Sequence, residues 1–209
     1  ALREAIAAKV RALYGAEYDP EFEITVTAGA TQALFTAVAA LVHPGDEVIV
    51  FEPVYDSYVP AIELQGGRVR RARLAAPDYR PDWQAVRALV TPQTRMIMIN
   101  TPHNPSGTVW TAADLAELAA ITAGTGIVVV ADEVYHLLSY NAAPPPPLAH
   151  YAAGGTVLSI NSFSKILAPG LRLGWVQAAP NHIQRLVNSG LLDSGGGLNP
   201  FTSALVRVV

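Results

Sequence analysis

The chain of 209 residues is 51% apolar and 15% charged, has no cysteine, and carries a formal net charge of −3. That length can bury a core of one or two domains. The composition excludes a disordered acidic tail, a disulfide framework and a thiolate metal site, and offers no footprint for nucleic acid. The histidines show no i, i+4 pair, so no zinc site is expected, and no apolar run reaches the ~18–20 residues needed to span a bilayer. A soluble, cytoplasmic protein without membrane or nucleic-acid partners is the expectation.

Leu2, Ile6, Val10 and Leu13 open the chain at helical spacing, with no N-cap residue before them. A short β-branched strand at 23–27 leads into an Ala- and Leu-rich helix at 30–42, ended by His43-Pro44-Gly45-Asp46. A strand at 47–51 and a helix at 55–64 follow, closed by Gly66-Gly67. Residues 68–74 read as a strand with arginines alternating on one solvated face. Asp82 is a plausible cap for a helix at 82–90, residues 95–100 form a buried strand, and Thr111 with Asp114 comes close to a capping box. Ile127 to Val130 is the clearest buried strand. Past a surface loop holding Pro144 to Pro147, strands at 156–160 and 172–177 precede a helix at 180–192. Phe201 to Val206 start another helix where the chain stops, and both ends read as cuts through a larger protein.

Repeated strand-helix units with fully apolar strands predict an α/β fold of three layers, α/β/α, around a mostly parallel seven-stranded sheet. Ligands of such sheets bind beyond the strand C-terminal ends. The candidate residues fall there. Ala28-Gly29-Ala30-Thr31 joins the first strand to a helix, where small residues leave backbone N–H groups free for an anion; the same sequence also suits a plain tight turn. Asn104 follows the strand ending at Asn100, in what could be an ordinary Asn-Pro turn. Asp132 ends the 127–130 strand, where a carboxylate is costly unless a cation or donors meet it, and Tyr135 follows. Glu133 reads as its solvated neighbour or a helix-start charge.

Lysine is scarce here: Lys9 and Lys165 stand against twelve arginines. Arginine stays protonated, whereas a desolvated lysine can lose its proton and attack a carbonyl carbon. Lys165, in Ser162-Phe163-Ser164-Lys165, is therefore the candidate Schiff-base nucleophile, with Ser162 and Arg172 suited to the phosphate of an aldehyde cofactor.

Six ordered motifs carry a resemblance. They are Ala28-Gly29-Ala30-Thr31-Gln32-Ala33, Pro44-Gly45-Asp46, Glu52-Pro53-Val54-Tyr55, His103-Asn104-Pro105-Ser106-Gly107, Asp132-Glu133-Val134-Tyr135 and Ser162-Phe163-Ser164-Lys165, the last continuing into Gly170-Leu171-Arg172-Leu173-Gly174. Together they resemble the fold-type I pyridoxal-phosphate enzymes, in particular the class I/II aminotransferases, over nearly the whole chain. The resemblance implies a single cofactor-binding large domain over residues 1–209, without the N-terminal arm and small C-terminal domain of intact members. It also implies a homodimer acting on an amino acid and a 2-oxo acid. Lys165 would form the Schiff base with pyridoxal 5′-phosphate and then move the proton from the substrate Cα. Asp132 would pair with the ring nitrogen, Asn104 and Tyr135 with the ring's 3′ oxygen, and Tyr55 would stack on the ring. Gly29, Ala30, Thr31, Ser162 and Arg172 would hold the phosphate.

No arginine after Arg172 replaces the carboxylate-binding arginine of the family's small domain: Arg185 lies in a helical pattern and Arg207 in the truncated end. Residues 194–200 read as a flexible loop bordering the site. Rival readings keep the cofactor but change the reaction, to a lyase, a decarboxylase or an enzyme like 1-aminocyclopropane-1-carboxylate synthase. A further rival is the aminotransferase-like effector domain of a transcription regulator.

Overall fold

The computed structural model describes residues 1–151, 155–190, 192 and 200–207. Seven strands form one sheet: β1 (Ile24–Thr27), β2 (Glu47–Glu52), β3 (Arg68–Arg73), β4 (Thr94–Asn100), β5 (Val128–Asp132), β6 (Val157–Ser162) and β7 (Gly174–Gln177). Their spatial order is β1-β7-β6-β5-β4-β2-β3. Strands β2 to β6 run parallel, while β7 is antiparallel to both of its neighbours. The helices are α1 (Leu2–Tyr14), α2 (Ala30–Leu41), α3 (Tyr58–Leu64), α4 (Trp83–Leu89), α5 (Ala112–Thr122), α6 (Pro180–Val187) and α7 (Pro200–Val206).

The strands are continuously apolar because both sheet faces are covered. In β4, Met96 and Met98 pack on the side of α2, α3 and α6, while Ile97 and Ile99 pack with α4 and α5. All four are essentially inaccessible, and each such side chain contributes roughly 1.5–3 kcal/mol of transfer free energy. A third cluster seats α1 and α7 on β1 and β7 through Ile6, Val10, Ile24, Trp175 and Val206. The three-layer expectation therefore holds, with seven strands as read from the sequence.

Local signals explain several boundaries. Asp82 accepts from the amides of Gln84 and Ala85 at the start of α4. Thr111 and Asp114 make a complete reciprocal capping box on α5. Three readings need correction. The arginines of β3 lie on both faces of this edge strand, because Arg68 and Arg70 share one side and Arg71 and Arg73 the other. Arg70 meets Glu47 at 3.3 Å and Arg71 meets Glu52 at 2.9 Å. Helix α3 starts at Tyr58 rather than at 55, which leaves Tyr55 in the loop after β2. The last strand starts at Gly174 rather than at 172, and Arg172 stands before it in the left-handed region with φ 50°. The expected flexible loop at 194–200 falls outside the described residues, apart from Pro200, which begins α7.

Candidate active site

The C-terminal ends of β1, β4, β5 and β6 and the start of β7 surround a cavity of about 230 Å³. Because β7 runs opposite to the parallel strands, its beginning lies at the edge where they end. Nine of the ten residues singled out in the sequence line this cavity: Ala30, Thr31, Tyr55, Asn104, Asp132, Tyr135, Ser162, Lys165 and Arg172. The tenth, Gly29, lies behind Arg172. Another cavity, of about 250 Å³, lies across the sheet between α1 and β7, with Leu2, Ile6, Phe163 and Trp175 in its mostly apolar wall, and none of the ten lines it.

Asp132 is buried at the end of β5. Its Oδ2 accepts a 2.7 Å hydrogen bond from the Tyr58 hydroxyl, whereas Oδ1 is buried with no hydrogen-bond partner among the described residues. Burial pushes this carboxyl up from 3.8 to about 6; the Tyr58 hydroxyl, the Val134 amide and the Lys165 charge only partly offset that. Burial and then the Asp132 charge push the Tyr58 hydroxyl well above its usual 10, so Tyr58 stays the donor of the pair. An unpartnered buried carboxylate oxygen facing a cavity calls for a cationic N–H from within that cavity.

At the far side, β4 ends in Asn100. Its amide donates to the Asp132 carbonyl at 2.9 Å, and its Oδ1 accepts from the Asn104 backbone amide at 2.6 Å. The Asn104 side chain hydrogen-bonds Tyr135, whose hydroxyl is raised above its usual value by burial and by the Asp132 charge. Lys165 lies at the mouth with its Nζ 5.7 Å from the centre of the Tyr135 ring. It is exposed rather than desolvated, because the cavity opens on that side; the ring face, not burial, meets its charge.

The opposite end is built for an anion. Gly29 is the N-cap of α2 and has φ 82°, a backbone state that disfavours any side chain. A Cβ there would come within 2.6 Å of Arg172 Nη2. Gly174 is needed for the same packing, since its Cβ would meet the Gly29–Ala30 backbone at 2.7–2.8 Å. With both positions bare, Arg172 Nη2 donates to the Ala28 carbonyl at 3.1 Å and its guanidinium stands over the first turn of α2. That turn lacks a side-chain cap, so its amides and the Arg172 charge together form a cradle for a phosphate-sized anion. The Ser162 hydroxyl donates to the Leu173 carbonyl at 3.2 Å and accepts from the Ser164 amide at 3.0 Å. Its proton is thus engaged within the loop, while Ser164 Oγ sits 3.5 Å from Arg172 Nη1.

Sequence reasoning missed Tyr58, Asn100 and Ser164. Tyr58 reads only as a helix residue, and its bond to Asp132 spans 74 positions. It also misplaced Glu133. Strand alternation turns Glu133 to the face opposite Asp132, where it is buried and accepts from the Leu148 amide at 2.8 Å and from the Ser159 hydroxyl.

Comparison with known proteins points the same way. The family model for aminotransferase class I and II matches residues 1–192. A methionine aminotransferase of Escherichia coli is 50% identical over 166 residues, covering 79% of this chain and 43% of that protein. A solved Escherichia coli structure identified with a methionine aminotransferase function superposes with a TM-score of 0.93 at 41% identity, over 99% of this chain and 55% of that one. The N-succinyldiaminopimelate aminotransferase of Mycobacterium tuberculosis gives 0.92 at 37% identity, over 99% and 55%. The chain spans about half the length of the relatives it matches.

Proposed function

Because this chain belongs to the class I and II aminotransferase family, we propose that it forms the cofactor-binding domain of a pyridoxal-phosphate-dependent aminotransferase. The protein exchanges an amino group between an amino acid and a 2-oxo acid. One observation carries the reading: a buried carboxylate oxygen without a hydrogen-bond partner among the described residues shares a cavity with a primary amine. The anion cradle at the α2 N-terminus completes a donor set that fits a flat, phosphorylated aldehyde with a basic ring nitrogen.

Pyridoxal phosphate supplies an aldehyde that condenses with primary amines and a protonated ring that draws electrons from the substrate Cα. The protein residues divide the remaining work. Oδ1 of Asp132 would accept from the ring N–H and keep that nitrogen protonated, while Tyr58 occupies the other oxygen and fixes the carboxylate. Asn104 and Tyr135 would donate to the ring's 3′ oxygen, and Tyr55 would lie against the ring face. The amides of Ala30 and Thr31, the Ser162–Ser164 turn and the Arg172 guanidinium would hold the phosphate. Lys165 would give the amine that holds the aldehyde and would move the proton at the substrate Cα.

The relatives named above are aminotransferases, which favours amino-group exchange over the lyase, decarboxylase, synthase and regulator readings. The proposal extends to a homodimer in the cytoplasm, as the family resemblance implies. Among the described residues no helix is long and apolar enough to cross a membrane. The test is a titration with pyridoxal phosphate, followed by visible absorbance, with Lys165→Ala as control. A band in the parent chain that is absent from the variant supports the assignment; identical spectra refute it. Product analysis then separates a 2-oxo acid from ammonia or carbon dioxide.

A further inference from the structure

His103 takes no part in the functions assigned above, yet its ring is buried between the loop that carries Tyr55 and the loop that carries Asn104. Its Nε2 lies 2.9 Å from the Pro53 carbonyl, two residues before Tyr55. Its Nδ1 lies 2.6 Å from Ser106 Oγ, in the turn that begins with Asn104. The backbone reinforces that turn: the His103 amide donates to the Thr108 carbonyl at 2.9 Å, and the Gly107 amide to the His103 carbonyl at 2.7 Å. Ser106 Oγ continues to Thr108 Oγ1 at 3.1 Å, and the Thr108 hydroxyl reaches the Asp78 carbonyl at 3.1 Å.

We infer that His103 is a positioning residue that fastens the Tyr55 loop to the Asn104 loop, so that both sides of the cofactor site keep a fixed separation. The inference rests on the proposed aminotransferase reading. Beyond Pro53, Tyr55 stacks edge to face with Tyr58 at 5.7 Å, and Tyr58 carries the bond to Asp132. Beyond His103, Asn104 is tied to Asn100 and Tyr135. One imidazole therefore couples the residues on the ring face to those at the ring's oxygen. A carbonyl can only accept, so Nε2 must bear a hydrogen in either charge state of the ring. Nδ1 donates to the Ser106 hydroxyl when charged, and when neutral can accept from it only in place of that hydroxyl's bond to Thr108. The fastening to Pro53 survives both.

Two near-isosteres separate this role from general packing. In His103→Gln the amide nitrogen can take the place of Nε2 and donate to Pro53. In His103→Asn the shorter side chain reaches only the Nδ1 position and Ser106. Hydrogen exchange of residues 53–58 is measured in the full chain without cofactor, and pyridoxal phosphate affinity by absorbance titration. H103N is expected to speed exchange at 53–58 and weaken cofactor binding, each roughly tenfold, as loss of one buried hydrogen bond dictates. H103Q is expected to stay within about threefold of the parent. Equal behaviour of H103N and the parent in both measurements overturns the inference. If H103N does not fold, Ser106→Ala decides: it removes the Nδ1 partner and the Ser106 contacts to Thr108 but leaves the Nε2–Pro53 bond in place, so protection at 53–58 should persist, and its loss refutes the fastening. A parent chain without a Lys165-dependent band sinks the aminotransferase reading, while the exchange data still judge His103.

Discussion

Replacing Asp132 with Asn should move stability and cofactor affinity in opposite directions. A carboxyl raised from 3.8 to about 6 carries, at ~1.4 kcal/mol per decade, about 3 kcal/mol. Because the folded-state value lies above the unfolded one, this stability is fully present below 3.8 and is lost as pH rises through about 6. Asn does not titrate, and its amide oxygen can still accept from Tyr58. In urea unfolding of the cofactor-free chain at steps from pH 4 to 8, the parent should therefore lose about 2.5 kcal/mol relative to D132N. Most of that loss should fall between pH 4 and 6. With pyridoxal phosphate present the order reverses. The parent regains a charge-assisted partner for Oδ1, while D132N lacks it and binds about tenfold or more weakly. A stability difference that stays flat across the pH range would show that Asp132 is not a desolvated carboxylate, and the reasoning for its ring-nitrogen role would fall with it.

Other outcomes follow from the same geometry. Tyr58→Phe removes the hydroxyl that donates to Oδ2; it should raise the Asp132 carboxyl further and shift the D132N-referenced stability curve to higher pH, with a cost of about 1.5–3 kcal/mol above that value. Gly29→Ala places a Cβ 2.6 Å from Arg172 Nη2 at φ 82°; it should cost about 1–2 kcal/mol in urea unfolding and weaken pyridoxal phosphate more than unphosphorylated pyridoxal. Equal weakening of the two ligands would remove the phosphate from that end of the cavity.

Much of this site was legible because its positions are set by local chain chemistry. Val128 to Ala131 can only be a buried strand, so Asp132 had to emerge at its end. Gly29 had to follow β1, and the rarity of lysine isolated Lys165. What escaped the sequence depends on distant packing. Nothing near Tyr58 reveals that its hydroxyl meets a carboxylate 74 positions away, and nothing near Glu133 reveals the Leu148 amide that satisfies it. The arginines of β3 misled for a simpler reason: an edge strand has solvent available on both faces, so the usual in-out periodicity weakens. Lys165 was expected to be desolvated, but accessibility depends on which walls enclose the cavity, and the order of residues does not encode that directly.

The antiparallel placement of β7 has a consequence for how the polypeptide matures. Arg172 and the Ala28 carbonyl it grips are 144 positions apart, and Thr27 aligns with Gly174 across the β1–β7 ladder. Synthesis from the N-terminus therefore delivers one wall of the phosphate cradle long before the other. Until β7 leaves the ribosome and zips between β1 and β6, the nascent chain has an unpaired β6 border and no competent anion site. Capture of the proposed cofactor would thus report that β7 has been laid in place.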